Sequence, residues 1–470
     1  MTTTQAPERF DPALRNMCVV VVLGAIMTVI DTTIVNIAVH VLGRELDTSL
    51  STIQWVLTGY LLALSMTIPV TGWAVQRFGT RTVWITSLVL FIAGSALCSA
   101  AWSAGILIAF RVLQGVGGGL LMPAGQTMLA RQAGSRRLAR TMAVVSIPAM
   151  LAPALGPVLG GLLLEHLSWR WMFAINVPVC AAALLLAARL LPAESGRQPD
   201  TELDVQGLIM LSPGLAALIY ALAQASEGGA PGEPRVLIGL VAGVVLLAAF
   251  AGHALRWADR ALVDLRLFAD RAFATSVGVL FCYSIAMFGA LILVPLYVQI
   301  VRGGDTFDAG LLVAPLGAGA AVTAVLVGRI TARFGSRKPS VAGILAVLAG
   351  LLVYTQVDAE TAWLLLAAAT FVMGLGHGVV TPLVMAGAYR DLPKAAIPGA
   401  TVAATIMVRV GSALGAAILA VVLQILMRHA VSVPTGAGGA ALAPAFAHSF
   451  WWAFGIAAIT LLPALLIRDR

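Results

Sequence analysis

The sequence predicts an all-α integral membrane protein in which two six-helix bundles are separated by two further helices, and three observations lead there. Only 11% of residues are charged and 60% are hydrophobic, with a mean hydropathy of +0.96, whereas a soluble domain carries roughly 25% charged residues. Apolar runs of about 20 residues, the length that crosses a hydrocarbon core of about 30 Å, recur fourteen times. The stretch GWAVQRFGTRT (Gly72 to Thr82) returns 256 residues later as GRITARFGSRK (Gly328 to Lys338), each time between two apolar runs.

The runs cover 17–40, 52–75, 83–101, 105–129, 141–164, 171–191, 205–225, 235–254, 273–300, 309–330, 339–357, 361–387, 399–427 and 447–467. With an even number of spans both termini lie on one side. If that side is cytoplasmic, 22 of the 29 basic residues fall in inner segments or at inner span ends, and only Arg44, Arg170, Arg235, Arg302 and Arg428 fall outside. The net charge of +8 is thus explained by topology and does not mark a nucleic-acid surface. The polar first 16 residues carry Glu8, Arg9, Asp11 and Arg15 and do not resemble a signal peptide. Cys18, Cys98, Cys180 and Cys282 sit in apolar runs without ligand spacing, so no metal site and no disulfide is expected.

Asp31 is the one acid among 21 that falls within a span. An ionised carboxylate there costs roughly 2.5–3.5 kcal/mol, so it needs a partner, a water cavity or a proton. Thr32, Thr33 and Asn36 follow within a turn and a half and are expected to line a polar cavity wall. Two basic residues also lie within spans, Arg111 and Arg409. Arg111 lies about 9 Å below the outer end of its span and Asp31 about 14 Å below that of span one, a difference that an arginine side chain can bridge. Either the pair forms, or Arg111 ties helices together through carbonyls. Arg409 either faces the central cavity or snorkels toward the cytoplasm, the second being favoured. His377 can titrate, although a His among glycines reads first as a helix-packing hydrogen bonder. Trp55 and Tyr60 can stack on a flat lipophilic substrate, with Trp55 also suited to the interfacial aromatic belt.

The repeated turn implies two like-oriented bundles related by an axis along the membrane normal, with a site between them near the midplane. Gly72, Arg77, Gly79 and Arg81 in the first copy match Gly328, Arg333, Gly335 and Arg337 in the second. Their glycines allow close helix approach, and the arginines can cap helix C-termini or face lipid phosphates. The boundaries read as 1–191 for the first bundle, 192–270 for a linker with two extra spans, and 271–470 for the second bundle. Within the linker, HALRWADRALVDLRLFADR alternates apolar and charged residues as an amphipathic surface helix would.

At this point the whole chain resembles the drug:proton antiporter branch with fourteen spans in the major facilitator superfamily. IDTTIVNIAVH (Ile30 to His40) resembles the first-helix motif of that branch, with Asp31, Thr33 and Asn36 in place and His40 where the family usually has Pro. RVLQGVGGG (Arg111 to Gly119, including Gln114) resembles the fourth-helix motif, and ALGPVLGG (Ala154 to Gly161, with Gly156, Pro157 and Gly160) the fifth-helix antiporter motif. SWRWMFAINVP (Ser168 to Pro178) is similar to the stretch that opens the sixth helix. Both inter-helix turns carry another residue, Gln76 and Ala332, where many members have Asp.

The resemblance implies the major facilitator fold and multidrug efflux driven by a proton gradient, with no bound cofactor. Asp31 and Arg111 are then the proton-coupling pair, and Thr33, Asn36, Trp55, Tyr60, Gln114, His377 and Arg409 the candidates for the substrate cavity. The expected partners are the lipid bilayer, small lipophilic substrates and protons, with the chain acting as a monomer in the cell membrane. One membrane carboxylate argues for one coupled proton, favouring monovalent lipophilic cations or neutral amphiphiles over dications. A facilitator or symporter for a specific metabolite shares the fold. A membrane enzyme or sensor would need a catalytic cluster or a soluble domain, and neither is visible.

Overall fold

The computed structural model describes residues 11–191, 200–226, 233–258, 260–431 and 439–467, leaving aside the side chains at 37, 40, 50, 135, 136, 147–155, 157, 158, 306, 429–431 and 439. Among the described residues every regular element is helical, as apolar backbone in lipid requires, because only a helix satisfies its own N–H and C=O groups along one segment.

The first half begins with α1 (Pro12–Ile37), started by a proline whose missing N–H is no loss at that position, and continues in the short α2 (Val39–Glu45). Ser49 caps α3 (Leu50–Thr67) by accepting from Thr52 N. At Ile68 and Pro69 the chain bends by 54° into α4 (Val70–Phe78), since proline cannot donate to the preceding turn. α5 (Thr80–Ser99) follows, then α6 (Ala104–His166), a helix of 63 residues interrupted at Gly134 by a φ of 64°. α7 (Trp171–Ala174) and α8 (Asn176–Leu190) complete this half.

α9 (Val205–Ser226) and α10 (Pro234–Arg256) form the antiparallel pair between the halves. The second half contains α11 (Arg271–Ile300), α12 (Thr306–Phe334), α13 (Arg337–Tyr354), α14 (Trp363–Tyr389), α15 (Ile397–Val431), α16 (Ala443–Ile459) and α17 (Leu461–Leu465). Among the described residues twelve helices are long and apolar enough to cross a membrane, thirteen with the bent pair α3 and α4 counted as one span. The chain is a multi-pass membrane protein.

The two copies of the sequence repeat adopt the same turn. α4 ends at Gly79 with φ 86° and α12 ends at Gly335 with φ 74°, a backbone region that a side chain would strain. These turns mark one end of the molecule, called the turn face below. α1, α3 and α5 pack on α6, while α12 and α13 pack on α14 and α11 packs on α15. α9 touches α3 of the first half and α15 of the second, so the extra pair sits astride the seam.

The amphipathic helix expected after α10 does not form as one element. α10 stops at Arg256, Leu262 and Val263 are buried, and residues Leu265–Ala269 make a single 3-10 turn. The cause is a set of carboxylate acceptors, one distant in sequence and two local. The Asp204 carboxylate, at the foot of α9, takes a hydrogen bond from Leu262 N at 3.3 Å and lies 2.9 Å from His253 Nε2. Asp264 and Asp270 then cap the 3-10 turn and α11 through Arg266 N and Phe273 N. Capped ends interrupt what charge periodicity alone would continue.

Candidate functional site

Glycines in the RVLQGVGGG segment bring α6 against α3. A Cβ at Gly115 would lie 2.6 Å from the Tyr60 carbonyl, and one at Gly119 would collide with that of Leu64. This approach delivers Arg111 into the interior of the first half. Its Nη1 donates to Asp31 Oδ2 at 2.6 Å and to Gln114 Oε1 at 2.8 Å, and its Nε to the Val56 carbonyl at 3.2 Å. The other carboxylate oxygen, Asp31 Oδ1, accepts from Gln114 Nε2 at 2.9 Å and Asn176 Nδ2 at 2.8 Å. Asp31 and Arg111 are both 0% exposed.

Four helices build this centre: α1 supplies the acid, α6 the arginine and the glutamine, α8 the asparagine, and α3 a carbonyl and an aromatic floor. The guanidinium carbon lies 4.1 Å from the Tyr60 ring centroid and 5.5 Å from that of Phe173, the placement of a cation on an aromatic face. Ser95 of α5 accepts from Asn176 Nδ2 at 3.0 Å and donates to the Phe173 carbonyl at 2.8 Å. Three buried polar atoms have no hydrogen bond of normal geometry: Arg111 Nη2, Asn176 Oδ1 and Tyr60 Oη, the last beside the Thr32 hydroxyl. The network is therefore rich in donors to an ionised carboxylate yet incompletely satisfied, an arrangement that can exist in more than one state.

The structure places the other sequence-derived candidates as follows. The hydroxyls of Thr32 and Thr33 donate back to the carbonyls of Thr28 and Ile30 at 3.0 and 2.9 Å. In a helix this is the nearest acceptor available to a threonine hydroxyl. Gln114 and Tyr60 are fully buried around the ion pair and do not line an open cavity. Tyr60 is unavailable for substrate stacking because Arg111 covers its ring. Trp55 is 45% exposed but stacks on Tyr220 of α9, with ring centroids 6.0 Å apart, so its neighbour is the extra helix pair. Asn36 is exposed.

Thr33 instead meets the fifth-helix motif, for a Cβ at Gly156 would run into its side chain. Gly160 is buried. The side chain of Pro157 lies outside the described residues. In the second half His377, half-buried, bonds the Tyr283 hydroxyl through Nδ1 at 2.9 Å and stacks on its ring at 5.5 Å.

Arg409 is exposed and lies within electrostatic reach of Tyr60. It lies two helical turns after Val402, which meets Gly72 of α4, and so on the stripe of α15 that faces the first half. On the turn face Gly72 meets Val402 and Gly399 of α15, and Gly328 meets the Arg140 side chain. Arg77 Nη1 and Trp73 Nε1 both donate to the Thr201 carbonyl, at 2.9 and 3.0 Å, and Arg81 Nη2 donates to the Ala188 carbonyl at 2.8 Å. Arg81 thereby caps the end of α8. Arg333 lies over the Phe334 ring at 5.3 Å, and Arg337 is exposed.

Asn176 and Ser95 are the residues that sequence reasoning missed. The available signal was a lone amide inside the apolar SWRWMFAINVP segment, in a chain where unpaired polar groups within spans are costly. For Ser95 no pattern distinguished it from the other hydroxyls of α5.

A helical chain with apolar helices enough for many crossings, a repeated turn in each half and a buried ion pair has the frame of a polytopic membrane transporter. The profile of the Major Facilitator Superfamily matches residues 21–416, and the chain belongs to that superfamily. It is 37% identical over 399 residues to the multidrug resistance protein B homolog of Mycobacterium tuberculosis, covering 84% of this chain and 74% of that protein. It is 34% identical over 336 residues to a protein named for multidrug resistance, MdtD of Klebsiella pneumoniae, covering 71% and 70%. Among solved structures it resembles the human organic anion transporter MFSD10 at TM-score 0.64 and 16% identity, over 95% of this chain and 100% of that one. It also resembles the proton:xylose symporter XylE at TM-score 0.62 and 15% identity, over 97% and 96%. At such identities these structures speak for the fold alone.

Proposed function

We propose that this protein exports lipophilic drugs or similar amphiphiles from the cell in exchange for protons, by alternating access of its two halves. In this reading the limb of α6 beyond Gly134 is a further span, bringing the total to fourteen, and the turn face is cytoplasmic, as are both termini. Residues 1–191 and 271–470 form the moving bundles, and one chain suffices for transport. The multidrug resistance names of the relatives support efflux as the direction.

The observation that carries the reading is the Asp31 to Arg111 ion pair, fully buried at 2.6 Å. A proton on Asp31 cancels the attraction that holds Arg111 in place. Removing one partner of a buried pair costs about 3–5 kcal/mol, so the arginine must find another acceptor and the helices that carry it must shift. Because Asp31 is 0% exposed, that shift is also what opens a path for the proton. Charge state and bundle arrangement are coupled in this way. For a neutral substrate, one proton inward per molecule outward moves one net charge, worth about 2.3 kcal/mol per 100 mV.

The test is dye efflux in vesicles with an imposed pH gradient. Proton-driven efflux is expected in the wild-type chain and not in Asp31→Asn, with transport by the variant limited to equilibration. Wild-type efflux rates in Asp31→Asn would reject the role of Asp31.

A further inference from the structure

The Asp31 to Arg111 pair and Arg409 are presented differently. Asp31 is enclosed by donors of its own half and offers no oxygen to a ligand. Arg409 of α15 is exposed, and among the described residues it has neither an ion-pair nor a hydrogen-bond partner. A bare guanidinium at this depth is costly unless it faces water or an anion.

The packing of α15 shows which way Arg409 looks. Gly411 and Gly415 on one face lie against Phe281 and Ile285 of α11. Val410, Ala413, Leu414 and Ala417 on a second face pack with Leu218 and Leu222 of α9. Val402 lies seven residues, two helical turns, before Arg409 and hence on nearly the same stripe, and it meets Gly72 of α4 in the other half. Arg409 therefore points into the seam between halves, above the contact that closes it at the turn face.

α9 covers the lipid side of this seam between α3 and α15. It holds α3 through the Trp55 and Tyr220 stack and through Ser212 Oγ, which donates to the Met66 carbonyl at 2.6 Å, and it holds α15 through Leu218 and Ala417. The space that Arg409 faces thus lies inside the protein.

We propose that Arg409 is the anchor for an anionic head group, so that the amphiphiles carried best are weak organic acids bearing a carboxylate. A guanidinium presents paired N–H groups that match a carboxylate in a bidentate fork, and the partly buried Ile406, one helical turn before Arg409 on the same face, would receive part of the apolar remainder. Exporting an anion while importing a proton runs both movements down an inside-negative potential. The inference rests on the export reading above, and it adds anions to the monovalent cations and neutral amphiphiles that a single coupled proton favours.

The test uses the full chain in proteoliposomes under a pH gradient, with a lipophilic carboxylate fluorophore and its methyl ester as paired probes. In Arg409→Ala the acid-to-ester ratio of kcat/KM is expected to fall about tenfold through KM, with Arg409→Lys restoring part of it. Arg409→Glu is expected to shift preference toward an amine analogue. An unchanged ratio in folded Arg409→Ala, or a loss that lysine does not restore, would overturn the assignment. If Arg409→Ala does not fold, the ratio in Arg409→Glu decides the question alone. The two readings fail separately: a pH-gradient response that survives Asp31→Asn removes the coupling role and leaves the ratio meaningful, whereas an Arg409-independent ratio with Asp31-dependent efflux removes only the anion site.

Discussion

In the first half, Asp31 is surrounded by Arg111, Gln114 and Asn176 and is 0% exposed, while in the second half Arg409 stands exposed and the half-buried His377 bonds Tyr283. Two bundles built on one repeat thus hold charge in opposite ways. The first keeps a neutralised pair inside itself. The second presents an exposed cation on α15. On the proposed function this contrast is a division of labour, the closed network being the part assigned to protons and the open charge the part assigned to the substrate.

This contrast can be broken by dismantling the first centre. Arg111→Ala leaves a buried carboxylate without its counter-ion and is expected to cost about 3–5 kcal/mol, read as a lower thermal midpoint in detergent. The double variant Asp31→Asn with Arg111→Gln removes both charges and should regain most of that loss. Equal midpoints for the single and double variants would mean that the pair is not what holds the bundle.

Smaller perturbations sharpen the comparison. Asn176→Ala removes one donor to the carboxylate at 2.8 Å, and hydrogen bonds to charged groups contribute about 1.5–3 kcal/mol. The loss should largely vanish when Asn176→Ala is made in an Asp31→Asn background, which a thermal-shift cycle would show. Gly156→Ala drives a methyl into Thr33 and is expected to cost about 1–3 kcal/mol as overpacking does, with Thr33→Gly recovering part of it in the same assay. The smallest effect belongs to the second half. His377→Phe keeps the ring on Tyr283 and deletes one interhelical hydrogen bond, for which about 0.6 kcal/mol is typical in membranes. A loss as large as that of Arg111→Ala would place a second coupled centre there.

Much of the fold was legible before any coordinates. Composition alone puts the chain in the bilayer, because roughly 20 consecutive apolar residues have no other stable place, and the RFG turn repeated at 256 residues marks equivalent glycines that both adopt positive φ. Asp31 and Arg111 stood out for a similar reason: ionisable residues are so costly in lipid that each one present needs an explanation. The amphipathic segment after α10 was misread because charge periodicity carries no information on capping. Only the distant Asp204 revealed where the chain turns.

What the sequence by itself determined is therefore the list of charges that the membrane must tolerate, since that depends on residue type and depth alone. Tertiary structure decided which of them are answered. Asn176 reaches Asp31 across 145 positions, Trp55 finds Tyr220 on a helix outside both bundles, and Arg409 is left facing the seam by the glycines that turn its helix against α11. Such outcomes depend on which helix faces come together, and one-dimensional spacing does not contain that geometry.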